Sequence, residues 1–538
     1  MARSPLLQHL QRIVARLSVD STPTAAAPDT AAAPDSARRR FMAQGTALGG
    51  AVFAGATAMP GFAAEAATPR AGLRIAIVGG GLAGLSAAYA LHKAGIDATL
   101  FEGSDRLGGR CFSDRKTFAE GQVAERGGEF IDTPHTAIIG LVNELGLELD
   151  DVLAAEGTAN HAITWLDGAE YTEADATRDF QPVYTLVQAQ AKALGDHYGY
   201  AGSNKTAKHL DAMSIAAWID QYVPGGRHSK LGRLLTNAYV EEFAVETDRL
   251  SALSLVLTLM ESARDKFAAY AGSDQRFHVR GGNDQIVGRL AEAVHANIVM
   301  GTRLTAVGRI AGGRYRLTTD ANGTAASAEF DRVILALPFT LLRAVDLATA
   351  GFRPLKLRAI RELPMGRSAK LQLQFRERLW RDHDGNGEVR VEGSFHSSWE
   401  VSRAQPGTAG ILNFWSGGNV AGAVESTPDQ AAAGAALRDI EPVWRGMTAR
   451  WNGRMLVDVW DRNPWSRGSY CYYPPGYLTT IHGIEPEPEG NCFFAGEHTS
   501  LDWQGFLNGA VESGLRAAGE VVRSLEPGKP VRAGKRRA

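Results

Sequence analysis

Between residues 79 and 110, three glycines, an acid and an arginine stand at spacings that could hold a phosphorylated ligand. Gly79-x-Gly81-x-x-Gly84 follows the apolar run Ile75–Val78 and opens an Ala/Leu-rich helical stretch. Gly79 permits a tight turn, Gly81 lets the backbone approach a pyrophosphate, and Gly84 allows close helix–strand packing. The amides that begin the helix then face the diphosphate. A second apolar run, 98–101, ends on Glu102, about 20 residues on, where a carboxylate can accept from ribose hydroxyls. Glycine-rich turns alone are common, and a purely structural turn is the alternative. The complete order of strand, glycines, helix, strand and acid favours a dinucleotide.

Gly108, Gly109 and Arg110 follow a few residues past that acid. A nicotinamide site has no need of a second glycine pair with an arginine. A flavin dinucleotide lies extended, and Arg110 can neutralise its pyrophosphate from the side opposite the helix. A surface turn with a solvated arginine is the plain alternative. Joined to the first motif, the pair points to FAD.

These residues need a parallel sheet to carry them. Residues 136–149 read as a helix, and about 175–270 shows helical spacing with almost no strand signal. A glycine pair and a helix return at 277–294. Strand-like runs follow at 314–319 and at 333–337, the latter read as another strand of the nucleotide sheet. Residues 350–455 alternate in strand fashion, and a helix over about 509–525 closes the fold. The expected class is α/β: an FAD-binding Rossmann-like domain of the glutathione-reductase type, with an α+β substrate-binding domain. The FAD-binding domain is expected at 73–135, 276–345 and 456–525, and the substrate-binding domain at 136–275 and 346–455. Residues 526–538 form a basic tail.

A chain of 538 residues is too long for one ordinary core. It is 44% hydrophobic and 22% charged, with a net charge of −2, which gives no support for a nucleic-acid partner. Cys111, Cys471 and Cys492 match neither a disulfide framework nor a zinc pattern, though a disulfide between two of them stays open. No metal site is expected. Residues 18–37 have a disorder-prone composition. Arg38-Arg39-x-Phe41-Met42 and the weakly apolar segment 45–63 resemble a bacterial twin-arginine export signal, with Ala64-Glu65-Ala66 as a small-x-small cleavage site. Residues 1–66 are therefore assigned to a leader, and the protein to the periplasm or the medium. A retained anchor is the alternative. The long stretch before Arg38 departs from the usual pattern.

From 73 to about 525 the chain resembles the flavin-containing amine oxidase family, which includes monoamine and polyamine oxidases and L-amino-acid oxidases. Four stretches carry the likeness: the dinucleotide motif with Gly108-Gly109-Arg110, LPMGRSAKLQLQF (363–375), WDRNPWSRGSYCYYPPG (460–476) and FFAGEHTSLDWQGFLNGAVESGLRAA (493–518). The resemblance implies that Lys370 contacts the flavin through a water at N5. A lysine in an apolar strand needs a partner or water if buried; a lysine snorkelling to the surface is the alternative. It implies further that Trp460 packs on the flavin and that Glu497 contacts its polar chain. Tyr470 and Phe506 match the two walls of an aromatic cage, although each also suits a plain core.

Ser469 stands where covalent members of the family carry a cysteine, so the FAD is expected to be non-covalent. Strand alternation puts Cys471 on the same face as Ser469. Phe130 replaces the arginine that clamps the substrate carboxylate in secreted L-amino-acid oxidases. Glu129 beside it suits a substrate with a second positive charge, or is a helix-capping or salt-bridged surface glutamate. The implied activity is an FAD-dependent amine oxidase that moves a hydride from the amine α-carbon to the flavin. The imine hydrolyses, and oxygen is reduced to hydrogen peroxide. The alternatives are a basic L-amino-acid oxidase or dehydrogenase using oxygen or a quinone, an isoprenoid or porphyrin desaturase, and a non-catalytic flavin-binding protein.

Overall fold

Ile75–Val78 is apolar at all four positions, as a strand covered on both faces must be, and all four are buried. It is the central strand, β1, of a five-stranded parallel sheet in a computed structural model, which describes residues 72–157, 161–195, 198–263, 273–294 and 297–526. The expected export signal and nearly all of the basic tail lie outside the described residues. Next to β1 on one side runs β2, Thr99–Phe101, then Ile298–Val299; on the other run Arg332–Leu335 and Cys492–Phe494. Helix α1, Leu82–Lys93, makes the crossover from β1 to the parallel strand β2. A three-stranded antiparallel sheet, Thr302–Arg309, Tyr315–Ala321 and Thr324–Phe330, is inserted between two of the parallel strands.

The second unit is built on a seven-stranded sheet. Its order is Trp451–Val459, Ser368–Phe375, Gly410–Gly417, Ser397–Glu400, Gly385–Val391, His161–Leu166 and Ala169–Glu170. Neighbours are antiparallel except Gly385–Val391 with His161–Leu166. Helices from Glu173–Leu194 to Ala252–Ala263 make up most of the rest. This is an α/β fold with a Rossmann-like nucleotide unit and an α+β second unit.

Ser368–Phe375 is buried at all eight positions, yet it alternates polar and apolar. Leu371, Leu373 and Phe375 enter one core with Trp380, Phe414 and Trp444; each such burial contributes about 1.5–3 kcal/mol. Lys370, Gln372 and Gln374 point the other way, and all three donate to backbone carbonyls of the segment 119–125. The polar face is therefore covered by protein, where the alternation alone suggested solvent.

Other readings shift in detail. Helix Thr136–Glu144 ends five residues early, because Gly146 turns the chain at φ +66° and Leu149–Asp151 becomes a strand. The stretch 350–455 is not all strand: Pro354–Glu362, Gly418–Ser426 and Asp429–Ile440 are helices. In the last, Ala432, Ala433, Ala436, Leu437 and Ile440 are buried at helical spacing. Strand Trp451–Val459 runs through the expected boundary at 455/456 and pairs with Ser368–Phe375, so it belongs to the second unit. Cys111, Cys471 and Cys492 are buried free thiols, so no two of them form a disulfide. Among the described residues no helix is long and apolar enough to cross a membrane.

Candidate active site

One cavity of about 1050 Å³ runs from the C-terminal edge of the parallel sheet to the seven-stranded sheet. Its nucleotide end is built by the turn between β1 and α1. Gly79 turns at φ +106°, and a Cβ there would stand 2.7 Å from the Ala336 carbonyl oxygen. A Cβ on Gly84 would stand 1.9 Å from the Gly79 carbonyl oxygen, so the helix packs on the turn backbone to backbone. Gly81 is different: a Cβ there would meet nothing within 4 Å. Gly81 caps α1, whose first turn has no acidic residue and no side-chain cap, so its amide dipole is left for an anion.

Glu102 is held by two amides, Gly80 N to Oε2 at 2.7 Å and Ser104 N to Oε1 at 2.8 Å. Each oxygen keeps a lone pair for a ribose hydroxyl. Gly109 lies 3.5 Å from the Gly81 Cα as measured from its ideal Cβ position, and Gly108 forms a parallel bridge with Gly81, so the two glycine turns adjoin. Arg110 donates to Glu497 Oε1 at 2.9 Å and to the Ser469 carbonyl. Glu497 also accepts from Gly505 N at 2.7 Å and from Cys471 Sγ at 3.4 Å. Glu497 is thus engaged by protein groups and orients Arg110 while lining the cavity. The open space at Gly81, the uncapped helix and the spare lone pairs on Glu102 fit an FAD.

At the far end stand the residues expected to do chemistry. Lys370 Nζ donates to Glu129 Oε2 at 2.8 Å and to the Glu125 carbonyl at 3.0 Å. The two charged side chains are 5% and 6% exposed, which rules out a snorkelling lysine. Trp399 donates to Glu129 Oε1 at 3.1 Å, and the Lys370 ammonium lies 5.9 Å from the Trp399 ring centre. Both carboxylate oxygens of Glu129 are therefore engaged and its charge is balanced. A free carboxylate selecting a second substrate charge is not what position 129 provides.

Trp460 is buried and donates to the Arg126 carbonyl at 3.1 Å. Ser469 lines the cavity and its hydroxyl donates to the Gly366 carbonyl at 2.8 Å. Cys471 is fully buried beside Glu497 and does not line the cavity, so irregular backbone between the two overrides strand alternation. Tyr470 and Phe506 both line the cavity on different supports. Tyr470 stacks on Trp415 at 6.5 Å and 6°, and donates to the Glu241 carbonyl at 3.1 Å. Phe506 packs edge-on to His135 at 4.8 Å.

Three cavity residues went unnoticed in the sequence: Trp399, Trp415 and Glu241. The tryptophans lie on paired strands where any core aromatic would fit. Glu241 left one clue, an acidic pair inside the otherwise apolar helix stretch from Tyr239 to Phe243. It is 3% exposed, and burial pushes its carboxyl up to about 7 against the pull of Arg390.

Residues 82–522 match the family described as flavin containing amine oxidoreductase. The chain is similar to the flavin-containing amine oxidase B of Canis lupus familiaris, 24% identical over 473 residues, 84% of this chain and 86% of that protein. It is similar to the flavin-containing amine oxidase A of Sus scrofa, 23% identical over 468 residues, 84% and 85% respectively. Two solved structures share the fold. Cyclohexylamine oxidase from Brevibacterium oxydans superposes with a TM-score of 0.72 at 20% identity, and putrescine oxidase bound to putrescine with 0.70 at 22%. Each covers 84% of this chain and 99% of its own.

Proposed function

The chain belongs to the flavin-containing amine oxidoreductase family, and from that premise we propose that it oxidises a primary amine at the α-carbon, with oxygen as the final acceptor. It is an FAD-dependent oxidoreductase acting on CH–NH2 groups. The observation that carries the finer reading is the buried Lys370–Glu129 pair at the end of a cavity whose other end suits a dinucleotide. Bound FAD would supply the two-electron redox chemistry, as acceptor from the amine and donor to oxygen. Everything else falls to the chain.

Tyr470, braced by Trp415 and by the Glu241 carbonyl, and Phe506, braced by His135, are the walls between which the amine enters. Their ring faces attract the cationic form on approach. The apolar walls favour loss of the ammonium proton before reaction, because the charged form is poorly solvated there. Lys370, held by Glu129 and the Glu125 carbonyl, is a preoriented donor at this end, and such a donor costs no reorganisation when negative charge develops nearby. Glu102 and the α1 amides hold the dinucleotide, with Arg110 oriented by Glu497. The imine released is hydrolysed by water, so amine, oxygen and water give an aldehyde, ammonia and hydrogen peroxide.

Non-covalent attachment is supported by Ser469, whose hydroxyl is engaged by Gly366, and by the burial of Cys471 away from the cavity. Export to the periplasm or medium is supported by the twin-arginine motif at Arg38-Arg39 alone. A basic L-amino-acid oxidase would need a cation for the substrate carboxylate. Lys370 is already paired, and the Arg403 guanidinium lies 5.1 Å from the Phe130 ring centre, paired with Glu156. That weighs towards amines. Product analysis decides: equal amounts of aldehyde, ammonia and peroxide from a primary amine support the proposal. A keto acid from arginine or lysine, with no turnover of amines, replaces it.

A further inference from the structure

At the inner end of the cavity two carboxylates, Asp132 and Glu241, each leave one oxygen without a hydrogen-bond partner among the described residues, while their neighbours are paired. Lys370 offsets Glu129. Arg390, 1% exposed, is bonded to Glu388. Asp132, beside the Phe506 support, accepts from Gln275 N at 2.8 Å and lies 3.4 Å from His135 Nε2, an imidazole that burial pushes down to about 3 and so keeps neutral. Glu241 lies on the Tyr470 side, with the nearby Arg390 guanidinium drawing on its charge. Its Oε1 accepts from the Ser397 hydroxyl at 2.6 Å, and its Oε2 has no hydrogen-bond partner among the described residues.

A buried carboxylate oxygen without a donor is costly, by an amount comparable to losing a charge-assisted hydrogen bond. Such groups in a folded protein call for an explanation, and a ligand that supplies the donor is one. The position is specific. Glu241 lines the cavity, and its own carbonyl holds the Tyr470 hydroxyl at 3.1 Å. Tyr470, Trp415 and Trp399 form a continuous run of rings, 6.5 Å and then 6.0 Å between centres. The group that satisfies both the carboxylate and these ring faces is an organic ammonium, which donates to the first and is attracted by the second.

We propose that Glu241 anchors a second ammonium group of the substrate, so that the preferred substrates are α,ω-diamines and other primary amines with a cationic far end. This rests on the amine-oxidase reading above and assigns to Glu241 the selectivity that Glu129, already paired, does not provide. One ammonium reacts after losing its proton between Tyr470 and Phe506; the other stays charged on Glu241. Ser397 fixes Oε1, which leaves Oε2 for the ligand.

The test compares kcat/KM for a series of α,ω-diamines with n-alkyl monoamines of matching length, in wild-type holoenzyme and in Glu241→Gln. Glutamine keeps the shape and the bond from Ser397 and loses the charge. Removing one partner from a desolvated charge pair lowers affinity about 30-fold or more. The expected result is a diamine kcat/KM reduced by that factor, mainly through KM, with a much smaller loss for monoamines. Equal losses for both substrates, or none for either, overturn the assignment. If Glu241→Gln does not fold with its flavin, the wild type decides: diamines must be better substrates than ω-amino alcohols of the same length, and parity overturns the assignment. A wild-type protein that oxidises no amine at all overturns the underlying reading instead, so the two failures are distinct.

Discussion

The ammonium of Lys370 and the carboxylate of Glu129 lie 2.8 Å apart, both almost wholly buried, although 241 residues separate them in the chain. Breaking such a pair leaves an uncompensated buried charge, at about 3–5 kcal/mol, whereas replacing both members is far milder. Glu129→Gln should therefore destabilise the protein by that order. The double variant Glu129→Gln with Lys370→Met should recover much of the loss. Denaturant midpoints of the four proteins check this; additive losses would mean that the pair is not coupled.

Lys370→Met should slow reoxidation of the reduced flavin by oxygen more than reduction by the amine. The preoriented ammonium acts as a donor where electron density grows as oxygen is reduced. Stopped-flow rates of the two half-reactions, measured separately, read this out. A loss confined to the reductive half-reaction would remove Lys370 from that role.

The nucleotide end was legible because its logic is local. Strand, glycine turn, helix and acid fall within about 30 residues; Gly79 and Gly84 answer to steric facts of that turn, and Gly81 leaves open space beside it. The inner end was legible only in part. Lys370, Tyr470 and Phe506 were found through family motifs, but their partners come from distant segments. Trp399 reaches Glu129 from 270 residues away, and Trp415 joins Tyr470 through sheet register. A single sequence does not reveal that an alternating strand has its polar face covered by protein. Nor does it reveal that an acid such as Glu129 has been spent on a lysine.

The flavin should leave the protein on acid precipitation, and the supernatant should contain intact FAD. Ser469 offers no thiol, and the Cys471 thiol is buried against Glu497. Flavin that stays with the polypeptide through denaturation and proteolysis would falsify this.

Lys356 gives a pH signature in stability. It is fully buried, with Nζ donating to the carbonyls of Ile484 and Glu485, and burial pushes its ammonium from 10.5 down to about 7. Below about pH 7 both the folded and unfolded chains hold the proton, so the penalty is constant. From there to about 10.5 the unfolded chain holds more protons, so stability rises with pH, by at most about 1.4 kcal/mol per unit. Compared with Lys356→Met, the wild type should gain in urea midpoint between about pH 7 and about pH 9. A difference that stays flat across that range would contradict a depressed lysine.

The central claim, that an amine delivers electrons to a flavin bound in this cavity, has one most direct test. Purified holoenzyme is mixed anaerobically with a panel of primary amines, diamines and basic L-amino acids, and the visible absorption of its flavin is followed. The account predicts rapid bleaching by amines, fastest with diamines, and recovery of the yellow colour with release of hydrogen peroxide when air is admitted. A flavin that stays oxidised with every amine, or that is bleached by basic L-amino acids alone, would contradict it.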